Sequence, residues 1–168
     1  MVLDKIKLYV YTYYMINLTP KPKLAIAYQV PMTCMGFHVR RASRIMAQQY
    51  DAAFRPVGLV QTQFTLLVAI HLLEPVPITQ LAQELLTDQT TITRNIKLLE
   101  QRGLVAFNLG EDRRIKLASL TIDGKSVLEQ ALPLWEQAQT DVRQHLGEQK
   151  WQDLLSLLSE VKTLNQRS

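Results

Sequence analysis

A single cysteine, Cys34, excludes an intrachain disulfide framework and suits a reducing compartment. The only histidines, His38, His71 and His145, stand far apart, with no His-x-x-x-His or Cys-x-x-Cys spacing, so no metal site is expected. Glycine is sparse and forms no phosphate-binding loop. There is no nucleophile elbow and no convincing carboxylate pair, so the chain reads as a non-enzyme without a cofactor. No apolar run reaches transmembrane length. The tract from Leu8 to Leu18 is not clearly followed by a small-residue cleavage site, so the expected location is the cytoplasm, on the nucleoid, without membrane attachment. Acid is nearly missing at the start. From Met1 to Arg44 the one acid is Asp4, against Lys5, Lys7, Lys21, Lys23, Arg40, Arg41 and Arg44. The formal charge of +4 permits a polyanionic partner without requiring one.

What is present centres on Asp88 to Thr121. Asp88 is placed to cap a helix. Ile92, Ile96 and Leu99 then recur on one apolar face. At about 100° per residue, Thr90, Arg94, Lys97 and Gln101 share the opposite face. Gly103 suits the left-handed residue that ends a helix. Val105, Phe107 and Leu109 alternate with Ala106 and Asn108 as in a strand, Gly110 to Arg113 is a turn, and Arg114 to Leu120 is the return strand. A polar, basic helix face followed at once by an arginine-tipped hairpin suits DNA. The major groove admits one helix and displays base edges to Arg, Asn, Gln and Thr. A narrow minor groove attracts Arg. A solvated helix face beside an ordinary charged turn is the plain alternative.

The rest of the chain supplies helices. Thr33 to Phe54 reads as a first helix with Phe37, Ala42, Ile45 or Met46, Ala53 and Phe54 inward and Arg40, Arg41, Arg44 and Gln48 outward. Pro56 and Gly58 end it. Gln61 to Leu73 is a second helix, with Phe64, Leu67, Val68, His71 and Leu72 as its core stripe. Glu74 to Pro77 closes it, and Thr79 to Leu86 is a short third helix with Leu81, Ala82 and Leu85 facing the core. With the Asp88 helix it makes a helix-turn-helix. Thr121 caps a long helix to residue 146, which Pro133 is expected to bend; Gly147 ends it, and a last helix carries Trp151, Leu154, Leu155, Leu158 and Val161. The last two helices hold more apolar surface than so small a fold needs, which points to packing against a partner. Residues 1–31 form an extension of open structure. It reads as an arm packing on the dimer, a basic tail over DNA, or translated upstream sequence.

TTITRNIKLLEQRGLV followed by GEDRRIKLASLT resembles the recognition helix and wing of the MarR family of bacterial winged helix-turn-helix regulators. The wing signature Asp-x-Arg is Asp112-Arg113-Arg114, and Leu120-Thr121 opens the next helix. The resemblance runs from about Thr33 to the C-terminus. It implies a mainly α fold with a small β wing: a winged helix-turn-helix over about 60–120, and dimerisation helices over about 33–56, 121–146 and 148–165. It implies a homodimeric repressor on a pseudo-palindromic operator, released by a small aromatic or phenolic effector or by an oxidant. Thr90, Thr91, Thr93, Arg94 and Asn95 are the candidates for base edges and nearby phosphates, and Lys97 and Gln101 for the backbone. By the same resemblance Arg114 enters the minor groove, Asp112 holds it, and Arg113 binds phosphate or shares that role. An effector cleft between the reading lobe and the dimer helices has His38, Tyr50, Phe64, His71 and Trp135 as candidate walls, although His71 on its apolar stripe reads equally as a core residue. RRASR with YDAAFRPVGL resembles the first helix of one subgroup that carries Cys-x-Cys just upstream. Here Gly36 replaces the second cysteine, so Cys34 reads first as an ordinary thiol and second as a redox sensor. The alternative function is a winged-helix protein-interaction or assembly module that does not read a DNA sequence.

Overall fold

The computed structural model describes residues 22–110 and 115–167. The chain forms two compact units, 1–46 and 47–168. In the first, a 3-10 helix over Pro22–Tyr28 leads to the one-turn helix α1 (Val30–Thr33). Cys34 is extended and separates α1 from α2 (Met35–Phe54), which crosses from the first unit into the second. The early part of α2 departs from the expected buried face. Phe37, Ala42 and Ile45 are exposed, as are Met35 and Val39, and only Met46 is half-covered. Periodicity gave this helix an apolar side, but among the described residues of the unit no second layer lies over it.

The second unit holds the core. The end of α2 buries Tyr50 and Phe54, and the Phe54 ring stacks on Phe64 at 4.4 Å between centroids. Helix α3 (Gln61–Leu73) buries Phe64, Leu66, Leu67, Ala69 and Ile70. The expected stripe is corrected at its end: His71 is exposed and Leu72 is 73% exposed, because the last turn of α3 outruns the core. Glu74 to Pro77 is more than a closure. Val76–Pro77 forms the strand β1, with Val76 fully buried. Helix α4 (Ile78–Glu84) buries Leu81 and Ala82, while Leu85 caps it half-exposed. Helix α5 (Gln89–Gln101) buries Ile92, Ile96 and Leu99, as its period requires. Burying a residue such as Ile96 contributes about 1.5–3 kcal/mol.

Strands β2 (Val105–Leu109) and β3 (Lys116–Leu120) pair antiparallel, Val105 opposite Leu120 and Leu109 opposite Lys116. Strand β1 joins the other edge of β3, Val76 opposite Ala118, giving the order β1-β3-β2. Pro77 has no N–H to give a ladder and is tolerated at such an edge. The alternation expected of β2 fades outward: Val105 is buried, Phe107 half-buried, and Leu109 exposed where the ribbon leaves the core. The Gly110 N–H donates to the Ile115 carbonyl at 2.9 Å and closes the described part of the hairpin.

Helix α6 (Ile122–Leu146) buries Leu128, Ala131 and Ala138 and continues as one helix through Pro133, whose side is exposed. Gly147 separates it from α7 (Glu148–Val161), which is followed by a 3-10 turn over Lys162–Arg167. Helix α7 buries none of its residues; Leu154, Leu155, Leu157, Leu158 and Val161 are all exposed. No single helix among the described residues is long and apolar enough to cross a membrane.

Candidate nucleic-acid interface

The helix-turn-helix is made by two helix endings and one cap. At the end of α4 the Thr87 N–H donates to the Ala82 carbonyl at 3.0 Å, and the Leu86 N–H to the Gln83 carbonyl at 3.1 Å. This double closure needs a left-handed residue, and Leu86 supplies it at φ 47°. The chain then turns into α5, where the Thr91 N–H donates to the Asp88 carboxylate at 2.8 Å. Hydrogen bonds from the Thr91 hydroxyl and N–H hold the Asp88 carboxyl below its ordinary range. Asp88 therefore caps the helix as its sequence position required.

With Ile92, Ile96 and Leu99 inward, the outer face of α5 is fixed. Thr90, Thr93, Arg94 and Lys97 are exposed and, with Gln89, surround one shallow open hollow. Gln101 is exposed one turn further on. Thr91 and Asn95 are half-buried at the flank, where the Asn95 amide nitrogen donates to the Thr91 carbonyl at 3.0 Å. The Thr93 hydroxyl likewise donates to the Gln89 carbonyl at 2.7 Å. Arg94 and Lys97 bring the positive charge to the lining of the hollow. Asp112, Arg113 and Arg114, the candidate wing residues, lie outside the described residues.

Two sets of contacts hold this helix in place; the cap at Thr121 is legible in the sequence, but the ties across the fold are not. Arg102, at the end of α5, counts in composition as one more cation. Its Nη1 instead donates to the Gly58 carbonyl at 2.8 Å, with Gln63 Oε1 at 3.5 Å. On the other side, the Thr121 hydroxyl donates to the Gly103 carbonyl at 2.7 Å and accepts from the Gly124 N–H at 2.9 Å. The Thr121 N–H donates to the Leu104 carbonyl at 3.1 Å. Gly124 is pressed against that same Leu104 carbonyl, and a Cβ there would overlap its oxygen. The base of the wing is tied to α3 through Glu74, whose Oε2 accepts the Leu120 N–H at 2.7 Å while Oε1 pairs with Lys125 Nζ at 3.0 Å.

The candidate effector walls fall in different settings. Tyr50 and Phe64 are buried on either side of Phe54, Trp135 is half-buried on α6, and His71 is exposed. The Tyr50 hydroxyl donates to Gln139 Oε1 at 2.9 Å, and burial raises its pKa. A separate hollow of ≈ 330 Å³ lies between α2 and α6, with Ala52, Ala53, Leu134 and Ala138 among its walls and Asp141 at its rim. His38 and Cys34 lie in the first unit, both exposed. Among the described residues no group of His, Cys, Asp and Glu is arranged to hold a metal ion.

A helix-turn-helix followed at once by a hairpin defines a class of DNA-reading proteins. The sequence profile of the MarR family matches residues 59–116. The transcriptional regulator MosR of M. tuberculosis, solved in complex with DNA, is 34% identical, covering 78% of this chain and 98% of its own, with a TM-score of 0.68. A probable transcriptional regulator from Pseudomonas aeruginosa is 28% identical over 77% of this chain and 97% of its own, with a TM-score of 0.71. The organic hydroperoxide resistance transcriptional regulator of Bacillus subtilis is 29% identical over 76% of this chain and 84% of its own. The chain belongs to the MarR family: it is a DNA-binding transcriptional regulator with a winged helix-turn-helix, and its work is recognition rather than catalysis.

Proposed function

We propose that the chain acts as a homodimeric repressor that reads a pseudo-palindromic operator from the cytoplasm and leaves it when a small effector or an oxidant acts. The observation that carries the reading is the division of α5. Its apolar side is locked into the core, and Thr90, Thr93, Arg94 and Lys97 are exposed around one open hollow. Thr90, Thr91, Thr93, Arg94 and Asn95 then address base edges and adjoining phosphates, and Lys97 and Gln101 the backbone. Arg114, held by Asp112 and aided by Arg113, is assigned to the minor groove. The alternative of a protein-interaction module would suit a recognition face without cations, and this face has two.

The exposed leucines of α7 and the exposed apolar residues of α2 support pairing with a second copy. In that reading residues 32–168 form the regulatory domain and 1–31 an extension to it. Two-fold symmetry sets half-sites about one helical turn apart. An aromatic or phenolic effector held near Tyr50, Phe64 and Trp135 would favour a spacing of recognition helices that successive major grooves cannot meet. The B. subtilis relative is named for organic hydroperoxide resistance, which keeps an oxidant signal through Cys34 in the proposal, including an intersubunit disulfide.

The test is selection of genomic fragments from the source organism by the purified protein at about physiological salt, where non-specific phosphate binding is weakened. Enrichment of an inverted repeat is the expected result. A dimer that retains all fragments equally would overturn operator reading.

A further inference from the structure

Glu74 sits where the ladder of β1 and β3 runs out. The register pairs Val76 with Ala118, and continuing it would set Glu74 opposite Leu120. The backbone does not continue it, since β1 begins at Val76. The Glu74 side chain takes over instead, its Oε2 accepting the Leu120 N–H at 2.7 Å. The other oxygen meets Lys125 Nζ at 3.0 Å in the first turn of α6. One carboxylate at the end of α3 thus holds both the last residue of the wing and the start of the long helix. The Glu74 side chain is 18% exposed and that of Lys125 51%, so solvent screens the ion pair and the hydrogen bond to Leu120 is the better sheltered tie.

We infer that Glu74 is a positioning residue for DNA reading: it fixes the angle of the wing to the recognition helix by clamping the wing base onto α3. The inference rests on the operator reading proposed above. Helix α5 is seated on α3 through its own apolar face, and Arg102 ties its end to Gly58 just before α3 begins. The wing returns through β3 to Leu120, and Glu74 is its side-chain tie to the end of α3. Major-groove and minor-groove elements must meet the duplex together, so a loosened wing base costs alignment without removing any cation that meets phosphate. Glu74 and Leu120 are 46 positions apart in sequence, which is why no local pattern announces the contact.

The experiment measures binding of Glu74→Ala and Glu74→Gln, as full-length dimers, to the inverted repeat enriched by the wild type and to a random duplex of the same length. The expected result for Glu74→Ala is a loss of about tenfold on the repeat with less than about twofold change on the random duplex. Glu74→Gln keeps an acceptor for the Leu120 N–H and recovers most of that loss. Should Glu74→Ala fail to fold, Glu74→Met, which keeps the bulk of the side chain but offers no acceptor to the Leu120 N–H, carries the test with the same selective loss on the repeat. Unchanged affinity for the repeat in a variant whose melting temperature has fallen would make Glu74 a stabilising residue only and overturn the inference. Equal losses on both duplexes would overturn it too. If the wild type itself enriches no repeat, operator reading fails first, and that result is distinct from a wild type that selects and a variant that selects equally well.

Discussion

Leu86 and Gly103 hold the same place in two successive helix endings. Each is the left-handed residue after its helix, Leu86 at φ 47° and Gly103 at φ 71°. Each is closed by the same pair of hydrogen bonds, with the Leu104 N–H on the Leu99 carbonyl and the Gly103 N–H on the Glu100 carbonyl in the second case. A left-handed backbone costs an L-residue roughly 1–2 kcal/mol, and glycine avoids this at some loss of chain entropy. Leu86→Gly is therefore expected to stabilise the fold by about 0.5–1 kcal/mol and Gly103→Ala to destabilise it by about 1 kcal/mol. Urea midpoints at unchanged slope check both.

Gly124→Ala places a methyl on the Leu104 carbonyl. Either the first turn of α6 or the end of the recognition helix must move, both being backbone. A loss of about 1–3 kcal/mol is expected, as for other over-packed sites. The check is chemical unfolding alongside operator affinity, which should fall in the fraction that remains folded.

Arg102 and Lys97 separate two roles that composition merges. Lys97→Ala should lower the slope of log affinity against log salt by about one contact. Arg102→Ala should weaken operator binding with that slope intact, since its guanidinium is engaged with Gly58. A salt titration of both variants reads the difference directly.

Acid should loosen the fold by a predictable route. Partial burial alone would raise the Glu74 carboxyl, but the Leu120 N–H, Lys125 and the field of His71 outweigh it, and the group sits below its ordinary 4.5. Asp88 sits below 3.8 through its bonds with Thr91. Both groups bind protons more weakly folded than unfolded. Their stabilisation is complete above the ordinary values and disappears as pH falls through the lowered ones. Urea midpoints between about pH 6 and pH 3 should decline, and less steeply in Glu74→Gln.

Leu158→Glu tests the second copy. A charge set into the exposed row of α7 should yield a folded monomer by sedimentation, with operator affinity lost. A dimer of unchanged mass would move the seam elsewhere.

The elements legible in the sequence were those with local signals. Asp88, Gly103 and Thr121 cap or stop helices within a few residues of themselves, and the alternation of Val105 to Leu109 showed a strand at once. The strand at Val76–Pro77 was hidden because the partner of Val76, Ala118, is far along the chain and a proline stands on either side of Val76. Periodicity placed His71 on an apolar side but could not say where the core ends. Composition counted Arg102 as a cation, whereas only folding brings it to Gly58. At the candidate interface the free residues of α5 follow directly from the buried ones, while the ties that hold the helix do not.

The uncovered leucines of α7 set a scale for the protein's abundance. In the proposed homodimer the seam is supplied by two identical chains and forms in proportion to the square of their concentration, so scarce chains would remain single and carry one reading head each. Under that proposal repression would switch on over a narrow range of copy number, and the melting temperature would rise with the amount of protein in the sample.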